Sequence, residues 1–358
     1  MHWSISPTVD SAVTGNWSPS GLLSYRPKPL EDESLSSWVV RMAAGYGREL
    51  REFAGLVWPR LGLYQHDLDW GKPQLEQSLS QLTSTDSKAI ANTTLRKFMS
   101  TLSGSELSKL RSERGLGRWV LSFDELRRRH RDDPPFPNYG VQYCSECLKS
   151  DEAPYFRICW RLRLFAICPI HELVLKDCCT GCSRPIHHFP GGLAGLRTPT
   201  SAEPASPLRC CVCGASLKDA KGSNRPSERL LSSQEFHRRL LYDEQRRIPR
   251  QTEYFDTLRK LLGMIAAPSR LPMQRMISKE ASCLVPDVLV APWEAASAIN
   301  RARTLEMAAW LFEDWPARLI WAMQACEPGD QRAMKDIVMQ FTSADLRPSI
   351  SIPHSSAA

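Results

Sequence analysis

Twelve cysteines, many of them in pairs separated by two residues, constrain this 358-residue chain more than any other feature. Three Cys-x-x-Cys pairs begin at Cys144, Cys179 and Cys210, and the segment Cys168-Pro-Ile-His171 repeats the spacing with histidine as the second member. Two intervening residues let one turn direct two side chains at a single ion, and zinc takes four such ligands in a tetrahedron. Four pairs therefore predict two complete zinc sites in place of structural disulfides or free thiols.

Sequential pairing is the simplest assignment of these ligands. The two predicted zinc sites are Cys144, Cys147, Cys168 and His171, and Cys179, Cys182, Cys210 and Cys213. A crossed pairing of the four Cys/His pairs is the alternative. Because Cys178 and Cys211 adjoin the assigned ligands Cys179 and Cys210, either could be the ligand in place of its neighbour. We prefer residues 179 and 210 because they keep the two-residue gap. Both ions are expected to be structural, since a catalytic zinc keeps one coordination position open.

No catalytic motif accompanies the ligands. His171-Glu172 begins like the metalloprotease motif HExxH, but Leu175 occupies the fifth position. The zinc-deaminase order, the phosphate-binding P-loop and the GxSxG nucleophile elbow do not occur. The sequence therefore predicts a protein that is not an enzyme, with no catalytic residues assigned.

Helical periodicity dominates the rest of the chain, so the predicted fold class is mainly α. Leu35, Trp38, Val39, Met42, Ala43 and Tyr46 form one apolar stripe at spacings of three and four. Further helices are predicted over residues 48–57, 74–82, 88–103, 105–112 and 121–131, and over several segments between 226 and 340. Between the two halves of the first zinc site, residues 158–164 alternate apolar with other side chains, which predicts a short strand. Cys283 and Cys326 stand alone in helical surroundings and are expected to be buried apolar residues.

Composition shifts along the chain suggest its domain organisation. Residues 132–140 carry three prolines and a glycine, which cannot continue a helix. The predicted order is a flexible N-terminal arm over 1–20, a helix-turn-helix-like helical domain over 21–140, a double zinc-finger module with short β-strands over 141–222, a C-terminal helical domain over 223–340, and a disordered tail over 341–358.

The charge is mildly basic, with a formal net charge of +7 and a pI near 8.8. That balance permits contact with nucleic acid without establishing it. The arginines predicted to contact nucleic-acid backbone are Arg127, Arg128, Arg129, Arg131, Arg238 and Arg239. The alternative is that these residues form solvated helix faces. The N-terminus lacks the pattern of a signal peptide and no apolar run is long enough to cross a membrane, so the expected location is cytoplasmic.

Three motifs occur in an order that resembles one known family. The first is YRPKPLEDESLSSWVVRMAAGYG, residues 25–47, which carries Pro27, Pro29, Asp32, Glu33, Ser34, Leu35, Ser37, Trp38, Arg41 and Ala43. The second is the zinc region, in which Trp160 and Leu173 accompany the eight ligands. The third, weaker one is FEDWPARL, residues 312–319. Together they resemble TniQ proteins, whose relatives include larger TnsD-like factors.

The resemblance implies an accessory factor that selects where a DNA transposon inserts. Family members bind a DNA attachment site, or sit as a homodimer on a CRISPR effector of the Cascade type with its guide RNA. In either case they recruit an AAA+ ATPase regulator. The implied fold is a helix-turn-helix-like part, then zinc-binding motifs, then further helices. From the residues alone, a stand-alone zinc-containing, sequence-specific DNA-binding regulator is the alternative, and a nuclease or transposase subunit is a third hypothesis.

Overall fold

The computed structural model describes residues 21–48, 50–59, 67–102, 119–121, 141–186, 206, 208–210, 212–220, 225–243, 251–287, 293–326 and 328–343. Several predictions lie outside these ranges. They are the N-terminal arm, the helix over 105–112 and all but the first residue of the helix over 121–131. Residues 341–343 of the predicted tail belong to a helix, and the rest of that tail lies outside the described residues.

Helices dominate the described residues, which confirms the mainly α fold class. They are α1 (Leu35–Gly45), α2 (Leu50–Val57), α3 (Pro73–Thr83), α4 (Ser87–Asn92), α5 (Met99–Leu102), α6 (Ser145–Ser150), α7 (Glu228–Tyr242), α8 (Gln251–Ala266), α9 (Leu271–Ala281), α10 (Ala298–Glu313), α11 (Ala317–Ala322) and α12 (Pro328–Ser343). Short 3₁₀ turns occupy Leu68–Trp70, Leu95–Phe98, Ile158–Arg161, Pro268–Arg270, Trp293–Ala295 and Met323–Ala325. β pairing in the described residues takes the form of isolated bridges.

A first hydrophobic core is built by the N-terminal helices. It extends from Leu23 to Ile90, and the predicted stripe of α1 forms its centre, with Trp38 fully buried. The Ser34 side chain accepts a hydrogen bond from the Ser37 backbone N–H at 3.2 Å, which caps the start of α1. The stripe predicted from the sequence is therefore buried as expected.

A second, larger core joins the cysteine-rich region to the C-terminal helices. It runs from Leu95 to Ile337. Helix α10 lies at its centre, packs against α7 and α8, and buries residues around most of its circumference. Because apolar side chains from both predicted regions share this core, the cysteine-rich region does not rest on its metal ligands alone. The domain boundaries stay a prediction.

Buried polar groups fix the cysteine-rich region against the C-terminal helices. Gln142 donates to the carbonyls of Trp160 and Leu162, and its own oxygen accepts from Arg301 of α10 at 2.8 Å. Gln234 of α7 donates to the Leu164 carbonyl. Satisfied hydrogen bonds of this kind are required when polar groups are buried, and they define one relative orientation of the segments.

The predicted helix over 88–103 is interrupted. The structure has α4, then a 3₁₀ turn over Leu95–Phe98, then α5. The Thr93 and Thr94 hydroxyls donate to the carbonyls of Ile90 and Ala91, three residues earlier. Threonine side chains that bond to the local backbone compete with the helical ladder, which explains the break.

The prediction of a strand over 158–164 is wrong for the first half of that segment, because Ile158–Arg161 forms a 3₁₀ turn. The apolar alternation is real, but it does not separate a core face from a solvent face. Arg161 and Arg163, on the expected outer face, are also buried, with 0% and 4% of their surface exposed. Local i to i+3 bonds, such as Trp160 N–H to the Arg157 carbonyl at 3.1 Å, replace pairing with a neighbouring strand.

None of the helices in the described residues combines the length and apolar character that a membrane span requires.

Candidate metal centres

The first candidate centre brings together Cys144, Cys147, Cys168 and His171. The sulfurs of Cys147 and Cys168 lie 3.4 Å apart. The histidine turns its Nδ1 atom toward the sulfurs, at 3.2 Å from Cys147 and 3.7 Å from Cys144. The three cysteines are buried and the histidine is partly exposed. This is a closed set of four donors, of which the three cysteines belong to the second core.

The second candidate centre brings together Cys179, Cys182, Cys210 and Cys213. The Cys179 and Cys213 sulfurs lie 3.6 Å apart, and those of Cys182 and Cys210 lie 3.8 Å apart. Cys213 is exposed and Cys182 is partly exposed. This centre therefore lies nearer the surface than the first.

Both donor sets fit a tetrahedral zinc ion. In each group all ligand atoms lie within 4.8 Å of one another. A regular tetrahedron with Zn–S bonds of about 2.3 Å has edges of about 3.8 Å, close to the sulfur separations in both groups. The grouping is the sequential one, not the crossed one. Either group could hold a metal ion, with Cys₃His donors in the first and Cys₄ donors in the second.

Three of the four ligand pairs adopt one backbone motif. In each, the residue after the second ligand has a left-handed conformation: Glu172 at φ 52°, Ser183 at φ 56° and Gly214 at φ 72°. One isolated β-bridge closes each turn, pairing the residue before the first ligand with the residue seven positions later. These bridges are Ile167 with Val174, Cys178 with Pro185, and Arg209 with Ser216. The fourth pair, Cys144 with Cys147, instead begins α6.

Hydrogen bonds among the cysteines of the first centre alter the pKa values of their thiols. Hydrogen bonds from the thiols of Cys144 and Cys147 lower the pKa of Cys168 to about 2. The same hydrogen bonds raise the pKa of Cys147, so they favour the thiolate, the form in which cysteine binds metal, at Cys168.

The register of the ligands is set by which cysteine faces each group. Cys179 belongs to the second centre, whereas its neighbour Cys178 is exposed and bridges backbone to Pro185. Cys210 is also in the centre, and Cys211 lies outside the described residues. Of the two isolated cysteines, Cys283 is buried as expected, and Cys326 is partly exposed against the Met273 sulfur at 3.7 Å.

The segment before α1 docks on the region between the ligand pairs of the first centre. Ser34 N–H donates to the Phe156 carbonyl at 2.9 Å, and Ile158 N–H donates to the Asp32 carbonyl at 2.7 Å. The buried Glu33 carboxylate accepts from Arg41 at 2.7 and 2.8 Å. The polar residues of this segment thus tie the first core to the second.

A buried ion-pair network makes a second connection between the same regions. Arg161 is fully buried and pairs with the Asp67 carboxylate at 2.6 Å and with Asp69. Asp69 also accepts from the Ser36 backbone N–H at 2.7 Å. Burial raises the pKa of Asp69, and the Arg161 charge opposes that rise. The sequence offered no signal for this network, because Arg161 lies more than 90 positions from the two aspartates.

Comparison with known families tests the resemblance. The TniQ family model matches residues 24–175. The chain carries a TniQ domain. This domain implies a transposition-associated protein, and the matched residues include both the docking segment before α1 and all four ligands of the first centre. The second centre lies outside the matched residues. A search of curated proteins finds no match to the chain.

The arginines predicted to contact nucleic acid fall into two groups. Arg127, Arg128, Arg129 and Arg131 lie outside the described residues. Arg238 and Arg239, on α7, both pair with Glu235, at 2.6 and 2.7 Å. Their charges are partly compensated within the helix, and their contact with nucleic acid stays a prediction. His237, which immediately precedes them in the sequence, is buried and shares a 2.8 Å hydrogen bond with the Tyr254 hydroxyl.

Proposed function

We propose that this TniQ-domain protein is a non-enzymatic adaptor for target-site selection in DNA transposition. It connects a target-recognition complex, of the RNA-guided Cascade type, or target DNA itself to an AAA+ transposition regulator. The observation that carries the proposal is the TniQ match over residues 24–175. It acts as a homodimer in the cytoplasm, on DNA.

We propose further that each centre holds one structural zinc ion. Cys144, Cys147, Cys168 and His171 hold the first, and Cys179, Cys182, Cys210 and Cys213 hold the second. Four protein donors leave no position for substrate or activated water, which supports a structural role over a catalytic one. What zinc supplies is folding free energy, because ligand deprotonation, metal binding and folding are coupled.

The adaptor proposal agrees with the contacts that connect the N-terminal helices of the TniQ domain to its first metal centre. Main-chain bonds, the Glu33–Arg41 pair and the Arg161 network fix the N-terminal helices to the first centre. A rigid junction of this kind keeps partner-binding surfaces on the two cores at a constant separation and orientation. A fixed geometry suits an adaptor that holds two partners in one arrangement, and four protein donors at each centre leave no open reactive site.

The test is affinity purification of the tagged full chain from cells that carry its neighbouring genes, with mass spectrometry and RNA sequencing of the captured material. An AAA+ ATPase together with CRISPR effector subunits and guide RNA supports RNA-guided targeting. The ATPase without guide RNA supports targeting directed by DNA. Capture of DNA alone, without the ATPase, contradicts the adaptor role and favours the stand-alone DNA-binding regulator.

Two variants serve as a matched pair in this purification. Cys147→Ser removes a buried ligand of the first centre, and Cys178→Ser removes an exposed thiol outside both centres. We expect the first variant to lose the captured partners and the second to retain them. Equal capture by both variants would show that partner binding does not depend on the first centre.

A further inference from the structure

A groove of about 650 Å³ opens where four parts of the described chain meet. Its walls are the segment before α1, residues 155–165, the turn over residues 167–172, and α7. The groove is distinct from the two ligand clusters, although Cys168 contributes to its edge. Its size suits a few side chains of a bound segment.

The charged side chains that line this groove are mostly acidic, although the chain is basic overall. Five carboxylates line it, at Glu31, Asp32, Glu172, Glu228 and Glu235, against two guanidinium groups, at Arg157 and Arg238. Both guanidinium groups are already committed, Arg157 to Asp151 at 3.0 Å and Arg238 to Glu235 at 2.6 Å. Three of the carboxylates are paired as well, Asp32 with Lys97, Glu172 with Arg225 and Glu235 with Arg239. The negative charge that is left uncompensated in the groove lies on Glu31 and Glu228.

Two of the carboxylates are available to a ligand. Glu31 and Glu228 are exposed, and the side-chain carboxylate of neither forms an ion pair or hydrogen bond within the part of the chain that the structure describes. They belong to two different walls, the segment before α1 and the first turn of α7. Basic side chains entering the groove would meet carboxylates on both walls.

Apolar side chains also line the groove. Phe165, Ile167, Pro169 and Leu231 are among its lining residues, and Ile170 is exposed over 59% of its surface. Ile170 lies between the ligands Cys168 and His171, in the turn that the metal-binding pair defines. A large aliphatic side chain held exposed on such a turn is suited to contact an apolar side chain of a partner.

We propose that this groove binds a short segment of a partner protein in which lysine or arginine flanks an apolar side chain. Charge complementarity with the carboxylates selects the basic residues, and the apolar lining with Ile170 receives the aliphatic or aromatic one. Phosphate groups would be repelled by the same carboxylates, so a protein segment fits this surface and a nucleic-acid backbone does not. The inference deepens the proposed adaptor role, on which the identity of the partner as a transposition protein rests.

The test uses the full zinc-loaded chain and a phage-displayed library of random dodecapeptides. The most enriched peptide is then synthesised with a fluorescent label, and its binding is measured by anisotropy at several salt concentrations. We expect enriched peptides to combine lysine or arginine with leucine, isoleucine, methionine or phenylalanine. We also expect affinity to fall as salt rises, because exposed charge pairs are screened.

Two groove variants and two matched controls assign the binding to this surface. Ile170→Asp is compared with Leu284→Asp, which alters an equally exposed aliphatic residue, at 61%, outside the groove. The double variant Glu31→Gln/Glu228→Gln is compared with Asp256→Asn/Glu280→Gln, which removes two exposed carboxylates from α8 and α9. We expect each groove variant to weaken binding by about tenfold or more and each control to change it by less than about twofold.

Several outcomes would overturn the proposal. They are no peptide enrichment, enrichment of peptides without basic residues, and equal binding by groove variants and controls. Tighter binding of labelled DNA or RNA that the groove variants abolish would assign the groove to nucleic acid. A change of solution mass in the groove variants alone would assign it to a second copy of the chain. Zinc content is measured throughout, and the double variant, which alters no ligand-turn residue, keeps the result interpretable if Ile170→Asp loses metal.

The binding test and the adaptor test fail separately. Peptide binding needs no transposition partner, so its loss would leave capture of the AAA+ ATPase as an independent result. Conversely, the groove could bind basic peptides while the chain captures no ATPase. That result would support the peptide-binding surface and contradict the adaptor role.

Discussion

The two candidate metal centres use the same ligand spacing but occupy different places in the molecule. The first has three buried cysteines, and the chain between its halves contributes Phe156, Trp160 and Leu164 to the larger core. The second has an exposed ligand, Cys213, and its halves are separated by 27 residues, 183–209. The comparison teaches that the same ligand spacing can occur where three ligands are buried in a core or where the ligands lie nearer the surface.

The largest expected difference comes from removing one ligand from each centre. Cys147→Ser should lose one zinc and the cooperative unfolding of the larger core, because structural zinc contributes on the order of 10 kcal/mol to a site that folds with it. Cys213→Ser should also lose one zinc, but its unfolding midpoint should shift by only a few degrees. Zinc content by atomic absorption and thermal unfolding by circular dichroism measure both.

Cys178→Ser is the control for this pair, since its thiol lies outside both centres. It should retain both ions and the wild-type midpoint. Equal destabilisation by Cys147→Ser and Cys213→Ser would remove the distinction between a centre that supports the core and one that supports a turn.

A smaller but still large effect is expected at Arg161, which lies between the halves of the first centre. Arg161→Met leaves the buried Asp67 and Asp69 carboxylates without their cation. Breaking a buried ion pair from one side costs about 3–5 kcal/mol of unfolding free energy. Arg239→Met, which breaks an exposed pair, should cost about 0–1 kcal/mol. Urea denaturation measures both.

Adding Asp69→Asn to Arg161→Met sharpens that result. The double variant buries less uncompensated charge and should recover part of the lost stability. No recovery, or a loss below about 1 kcal/mol in Arg161→Met itself, would mean that the network does not join the N-terminal core to this segment.

The smallest expected effect concerns His237 of α7, the helix that bonds to the Leu164 carbonyl through Gln234. Burial lowers the pKa of His237 to about 3. The unfolded chain, in which this histidine has its ordinary pKa, therefore binds a proton first as the pH falls. Stability should decrease by about 2 kcal/mol between pH 7 and pH 5 from this group alone.

His237→Gln should remove that contribution, so its stability should fall less steeply with acid. Urea midpoints at pH 7, 6 and 5 give the two slopes, and protonation of the zinc ligands affects both proteins alike. Parallel slopes would show that His237 is not held neutral in the folded protein.

The sequence anticipated what depends on local spacing. Pairs separated by two residues predicted the two ligand groups that the structure brings together, and a spacing of three and four predicted α1 with Trp38 on its buried stripe. The mainly α fold class and the TniQ resemblance are confirmed. Each of these signals is carried by residues close together in the chain.

What the sequence did not anticipate depends on distant partners. The alternation at Ile158–Leu164 was interpreted as a strand because nothing local indicates that Arg161 is neutralised by Asp67 and Asp69. Asp32, Glu33 and Ser34 were assigned to a family motif, but their docking on Phe156 and Ile158 joins residues about 120 positions apart. The left-handed residues after three ligand pairs carried a partial signal, since Gly214 is one of them and Glu172 and Ser183 are not glycine.

The 27-residue separation in the second centre has a consequence for how such chains can diverge. The TniQ match ends at residue 175, before this centre begins. Each doubling of a flexible loop costs only about 0.6 kcal/mol in closure entropy. Lengthening the chain between Cys182 and Cys210 therefore adds little to the entropy cost of bringing the two halves of this centre together. By contrast, a change of length between Cys147 and Cys168 would displace core side chains. Within one protein, the second centre provides a place where sequence can be gained and lost while the first keeps its register.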